Sequence, residues 1–157
     1  MPDIAPAERE VAAARMLARE RDLTEAQRGE MAAAALGVLN DAQFAAVFGP
    51  GSRAEVAVAG LAPRVGPISG RVDRLVVEAN RVLVIDFKTN RPAPARIDDA
   101  DPAYIKQMAV YVAVLRTIFP DRAVEAALVW TDGPRLMPVP ENLTARALSG
   151  LADPVDT

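Results

Sequence analysis

The sequence contains no cysteine, and its 157 residues include no histidine. Without thiols there are no disulfides, no zinc–thiolate site and no thiol nucleophile. Without imidazole, Ser-His-Asp triads, histidine general bases and histidine metal ligands are excluded within the chain. A metal bound here has to be held by oxygen, which favours magnesium, calcium or manganese. Aromatic residues make up only 4% against 51% hydrophobic residues, so the core is expected to be aliphatic. Positive charge is not in excess either: 18 Lys and Arg face 21 Asp and Glu, a net charge of −3. That balance counts against a free-standing DNA-binding module, and less against an active site whose field depends on a few local groups. No apolar run approaches the ~18 residues of a membrane span. No signal peptide precedes the first helix, so a cytoplasmic protein with no membrane segment is expected.

The chain length suits one domain with a core of its own. Residues 1–50 form a helical N-terminal part. Ala5 to Arg21 forms a first helix with Val11, Met16 and Leu17 apolar. Thr24 to Gln27 fits a capping box, opening a second helix to about Leu39 whose apolar stripe is Met31, Ala35 and Val38 or Leu39. Asp41 caps a short third helix over Ala42 to Phe48, and Gly49–Pro50–Gly51 stops it. Residues 53–139 form an α/β core. Arg53 to Ala59 is a strand, Leu61 to Pro67 a turn, and a hairpin of Ile68 to Glu78 with Arg81 to Lys88 follows. A proline-punctuated loop reaches Asp101, which caps a helix from Pro102 to about Phe119 with Ile105, Met108, Val112 and Leu115 buried. Ala123 to Thr131 and Arg135 to Val139 are strands, 141–151 is a last helix, and the end beyond it frays. The fold class is therefore α/β, a mixed central sheet flanked by helices.

The chemistry concentrates in the hairpin. A two-residue turn at Ala79–Asn80 pairs Glu78 with Arg81 and, counting outwards, Asp73 with Asp86 and Arg71 with Lys88. Alternation then puts Arg71, Asp73, Leu75 and Val77 on one face with Val82, Val84, Asp86 and Lys88. Opposed side chains lie about 4.5–5.5 Å apart at Cβ, where like charges repel. A divalent cation between Asp73 and Asp86 answers that repulsion, and the Phe87 backbone carbonyl offers a further ligand. Lys88 can hold a water or stabilise charge developing on a phosphate. With no histidine, water activated by the metal is the natural nucleophile, which suits phosphodiester hydrolysis. The alternative is a metal-free cluster of Arg71, Lys88, Asp73 and Asp86. Glu55 on the preceding strand is a further ligand, a water orienter or an exposed strand residue. Gln107 and Tyr111, spaced i, i+4, project from one face of their helix and on base rates read as exposed polar positions.

Three segments together carry a resemblance: Gly70 to Leu75, Val84 to Thr89, and Gln107 with Tyr111. They resemble the RecB-like nucleases of the PD-(D/E)xK superfamily, with a restriction-endonuclease-like core. Residues 49–60, Lys88 to Pro92 and Leu128 to Pro134 look closer still to the C-terminal nuclease domain of AddA-type helicase–nucleases. The resemblance runs from about Glu8 to Leu148. It implies that Asp73 and Asp86 bind Mg²⁺, with Mn²⁺ an alternative, and that Lys88 is the catalytic lysine. Gln107 and Tyr111 then position DNA or Lys88, and Trp130 packs in the core. It also implies a DNA exonuclease acting in double-strand break repair and recombination. The partners are DNA, a helicase motor upstream in the same polypeptide, to which ATP use is confined, and an AddB-type subunit.

This sequence departs from that pattern in one respect. Family members carry a histidine on an upstream helix that joins the metal site, and this chain has none. It therefore resembles a fragment of a longer helicase–nuclease, expected to bind metal weakly and cut slowly or not at all alone. Two other readings stand beside it: a catalytically inert nuclease-like binding or assembly module, and a phosphohydrolase acting on nucleotides.

Overall fold

The computed structural model describes residues 4–152. The expected fraying after the last helix falls outside them from residue 153 onward. A 3₁₀ turn at Pro6–Glu8 leads into α1 (Arg9–Leu17), and α2 (Glu25–Asn40) follows. The first helix is shorter than its composition suggested. After Leu17 the backbone tightens into turns, with Arg19 N–H donating to Met16 and Glu20 N–H to Leu17. The capping box at α2 is as read: Thr24 Oγ1 accepts from Gln27 N–H, and the Gln27 side chain accepts from Thr24 N–H. Asp41 caps a 3₁₀ stretch at Ala42–Phe48 by accepting from Gln43 N–H.

The expected apolar stripe of the helical part is only partly buried. Val38 is buried, whereas Met31 is 49% exposed and Val11 and Met16 lie open. The reason is placement. Arg9 ties α1 to the end of α2 through the Leu39 carbonyl and Asn40 Oδ1, and only that end of α2 reaches the core.

One five-stranded sheet organises the rest, in spatial order β1 (Ser52–Ala62), β2 (Gly66–Val77), β3 (Arg81–Lys88), β4 (Ala123–Trp130), β5 (Arg135–Val139). β3 and β4 are parallel, joined across by α3 (Pro102–Ile118), and the other pairs are antiparallel. This is the expected mixed α/β architecture. The turn between β1 and β2 is tighter than read, because Leu61 pairs with Pro67 and Ala62 with Gly66, leaving residues 63–65. β3 pairs only with residues 74–77 of β2, so Pro67 has a single strand neighbour and its missing N–H is tolerated.

β3 is buried on both faces, as a central strand next to a parallel neighbour should be. Val82 and Val84 join Ile105, Met108, Val112 and Leu115 of α3, the four positions its periodicity marked. Leu83 and Ile85 face Val38, Phe44 and Val47 on the other side. Trp130 is 1% exposed in the first cluster, a core residue as expected. The helix α4 (Glu141–Ala152) closes the α3 side through Leu143 and Leu148.

One glycine fixes how closely α3 approaches the β1–β2 hairpin. A Cβ on Gly70 would stand 2.8 Å from the Tyr111 hydroxyl and 3.1 Å from its Cε1. Gly70→Ala should therefore push Tyr111 off its seat and destabilise the domain by about 1–3 kcal/mol, as overpacking does. Urea unfolding checks this, and an unchanged midpoint would show that α3 has slack there.

Candidate active site

The hairpin register is the one the turn predicted. Val77 pairs with Val82, Leu75 with Val84 and Arg74 with Ile85, which sets Asp73 opposite Asp86. On the other side Ala54 pairs with Arg74 and Val56 with Val72, which sets Glu55 opposite Asp73. Three carboxylates thus stand in one row across the sheet, and in that row the backbone pairing lapses on both sides of Asp73. Instead, the Asp73 side chain takes over: its Oδ2 accepts from Phe87 N–H at 2.8 Å. Glu55 adopts a left-handed backbone, φ 54°, a conformation a residue with a Cβ adopts at a cost.

The strands also change faces here. Val72 and Leu75 both pack on the α3 side, although strict alternation forbids it. The expectation that Arg71 shares a face with Leu75 and lies against Lys88 therefore fails. Arg71 belongs to the segment before the switch, and its guanidinium pairs with Glu55 at 3.6 Å, both side chains about two-thirds exposed. The metal-free four-charge cluster is not what forms. Glu55 is turned to Arg71 and solvent.

Asp86 and Lys88 close the site from β3. Asp86 is 7% exposed. Its Oδ1 accepts from Gln107 Nε2 at 3.3 Å. Lys88 Nζ stands 2.6 Å from Asp86 Oδ2, a close ion pair that gives this buried oxygen its positive partner. Burial pushes the Asp86 carboxyl above the ordinary carboxylate range; Lys88 pulls it back, and Asp73 adds to the rise.

The helix α3 supplies the third wall. Gln107 is half-buried, not exposed, and bridges the pair, since Lys88 Nζ also donates to its Oε1 at 3.3 Å. Tyr111 is 9% exposed, and its hydroxyl donates to the Arg71 carbonyl at 3.0 Å. It braces the hairpin to α3 and has no contact with Lys88 among those observed. Tyr104, one turn before Gln107, was missed by the sequence reading. Its ring lies under Lys88 Nζ at 3.8 Å, and its hydroxyl donates to Asn90 Oδ1 at 2.8 Å. The spacing of Tyr104 and Gln107, i and i+3 at the start of a helix facing the end of β3, was the available signal.

The donor set fits a hard divalent cation: oxygen only, with the Asp73 and Asp86 carboxylates in one row across adjacent strands and Asp86 buried. Among the described residues no three His, Cys, Asp or Glu side chains come together as a ready-made cage. Two carboxylates suffice for Mg²⁺ when water and phosphate complete its shell. A cavity of about 820 Å³ lies elsewhere, lined by Arg81, Leu83, Val124, Pro138 and Glu141, and includes none of these groups.

Over residues 3–147 the chain matches the family model of the PD-(D/E)XK nuclease superfamily, and it belongs to that superfamily. Its fold is similar to the crystal structure of a protein from Eubacterium rectale, provisionally named an exonuclease. The TM-score is 0.61 at 15% identity, over 93% of this chain and 61% of that one. This chain therefore spans less than two thirds of that protein's length. The structure of SSO0001 aligns at 16% identity over 94% of this chain and 73% of its own, with a TM-score of 0.38, too low to support any argument. No curated protein matches. Among the described residues no single helix is long and apolar enough to cross a membrane.

Because the folded state holds the Asp86 proton more tightly than the unfolded chain, its contribution to stability is present at acid pH. That contribution is lost as pH rises from the ordinary carboxylate range through the raised value. In metal-free buffer at neutral pH, Asp86→Asn should therefore unfold at higher urea than the parent, and the gap should narrow on acidification. Urea midpoints across that range are the measurement, and a variant less stable than the parent at neutral pH would contradict the burial argument.

Proposed function

We propose that this domain is a metal-dependent DNA exonuclease, the nuclease domain of an AddA-type helicase–nuclease acting in double-strand break repair and recombination. On this reading a helicase motor lies upstream in the same polypeptide and an AddB-type subunit is its partner. The observation that carries the reading is the buried Asp86 carboxylate, in one row with Asp73 across the sheet and ion-paired to Lys88. Burial of Asp86 outweighs the attraction of Lys88, and the neighbouring Asp73 charge adds to the cost, which a cation between the two carboxylates would offset. The superfamily membership supports the nuclease class, and the order of motifs supports the narrower assignment.

Asp73 and Asp86 would hold the cation, Mg²⁺ or Mn²⁺, with the Phe87 carbonyl as a further ligand. When bound it supplies charge stabilisation at the phosphodiester and lowers the barrier to forming hydroxide from water. The rest falls to the chain. Lys88 orients the attacking water or donates to a phosphate oxygen as charge develops there. Gln107 holds Lys88 and Asp86 at fixed separation, and Phe87 N–H fixes the Asp73 carboxylate. The net charge of −3 suits a site to which strands are delivered by another domain.

A second reading, an inert nuclease-like module, is favoured by one observation: among the described residues no third carboxylate joins the pair, and the sequence has no imidazole to do so. The two separate in one experiment. With Mg²⁺ or Mn²⁺, end-labelled DNA should be degraded from its termini by the chain linked to its motor. Chelation should abolish this, and Asp73→Asn, Asp86→Asn and Lys88→Ala should each slow it by about 10²-fold or more. The chain alone should bind the metal weakly and cut slowly. DNA binding without cleavage in every form establishes the module instead.

A further inference from the structure

Lys88 is held in a cage with three walls, and only two of them are carboxylate or amide. Its side chain is 11% exposed. Asp86 Oδ2 lies on one side at 2.6 Å, Gln107 Oε1 on a second at 3.3 Å, and the face of Tyr104 on the third at 3.8 Å from the ring centroid. An ammonium over an aromatic face is attracted by the ring's quadrupole, more strongly when water is excluded. The ring is itself pinned, because its hydroxyl donates to Asn90, two residues beyond Lys88 on the chain leaving β3. Tyr104 thus grips both the lysine head group and the backbone that carries it.

The three walls are not equivalent. Asp86 is also the carboxylate that would meet a cation. A cation on Asp86 takes from Lys88 its nearest counter-charge, and Gln107 and Tyr104 are what remain. Resting on the nuclease reading of the site, we propose that Tyr104 is a positioning residue. Its ring keeps the Lys88 ammonium aimed at the substrate phosphate when Asp86 is engaged by metal.

The chain has only two lysines, Lys88 and Lys106, and Lys106 is exposed, so the test has an internal control. In the chain labelled with ¹³C-lysine, ring current should move the Lys88 ε-methylene protons upfield of those of Lys106. The separation should persist when Mg²⁺ is added. Tyr104→Leu should abolish it, and Tyr104→Phe should keep it. In the motor-linked protein Tyr104→Leu should lower kcat about tenfold with KM unchanged, the scale of a desolvated cation–π contact, and Tyr104→Phe should restore most of the rate. Coincident ε-methylene shifts in the parent protein, or loss of the separation on adding Mg²⁺, would overturn the proposal even if Tyr104→Leu failed to fold. Should the parent cut no DNA while the ring shift and its persistence hold, the nuclease reading fails and the grip of Tyr104 on Lys88 stands.

Discussion

A carboxylate placed where water cannot reach it has to be answered by positive charge, and Asp86 is such a group. The Lys88 ammonium beside it, the amide of Gln107 and the backbone turn that brings Asp73 near all take their positions relative to that one buried charge. Lys88 meets Oδ2 at 2.6 Å, but that attraction does not cancel the cost of burial. Leaving such an atom in the interior is destabilising, and the burial that raises the Asp86 proton affinity expresses the same penalty.

The sheet around it is built to admit that charge. Had β1, β2 and β3 paired without interruption, the backbone groups of Asp73 would be spent on the ladder and its side chain directed by strict alternation. Instead the pairing lapses along the row of Glu55, Asp73 and Asp86, and Glu55 accepts a left-handed backbone in the process. The lapse frees Phe87 N–H, which fixes the Asp73 carboxylate. The same irregularity turns the outer half of the β1–β2 hairpin by one face, so that Val72 and Leu75 both pack toward α3 and Arg71 faces away to Glu55. Irregularities of this type in strands are frequent beside active sites because they re-aim side chains.

The position of the site in the fold follows from connectivity. β3 and β4 are parallel, so the chain must cross over between them, and the crossover is α3. The first turns of that helix therefore stand above the end of β3, where Asp86 and Lys88 project. Tyr104 and Gln107 reach the pair from there, while Tyr111, one turn further on, is already over the hairpin and serves to hold it. Gly70 is the counterpart of that brace, leaving the space the Tyr111 hydroxyl occupies.

The amino-acid sequence by itself determined the elements and the register: an apolar hairpin closed by a tight turn, the caps at Thr24, Asp41 and Asp101, and the stripe of α3. These are legible because period, capping and turn chemistry are local. It also determined the chemistry available, for a chain without histidine or cysteine can offer a metal only oxygen. Tertiary structure alone decided which charged groups meet. Arg71 and Glu55 were assigned to faces by alternation, a rule that holds only while both strands pair regularly, and the lapse at Asp73 broke it. Met31 reads as part of a buried stripe because an apolar stripe carries no record of what packs against it, and the fold leaves it about half exposed. Tyr104 was silent for the complementary reason: an aromatic ring at the start of a helix acquires a role only when another strand brings a cation to its face.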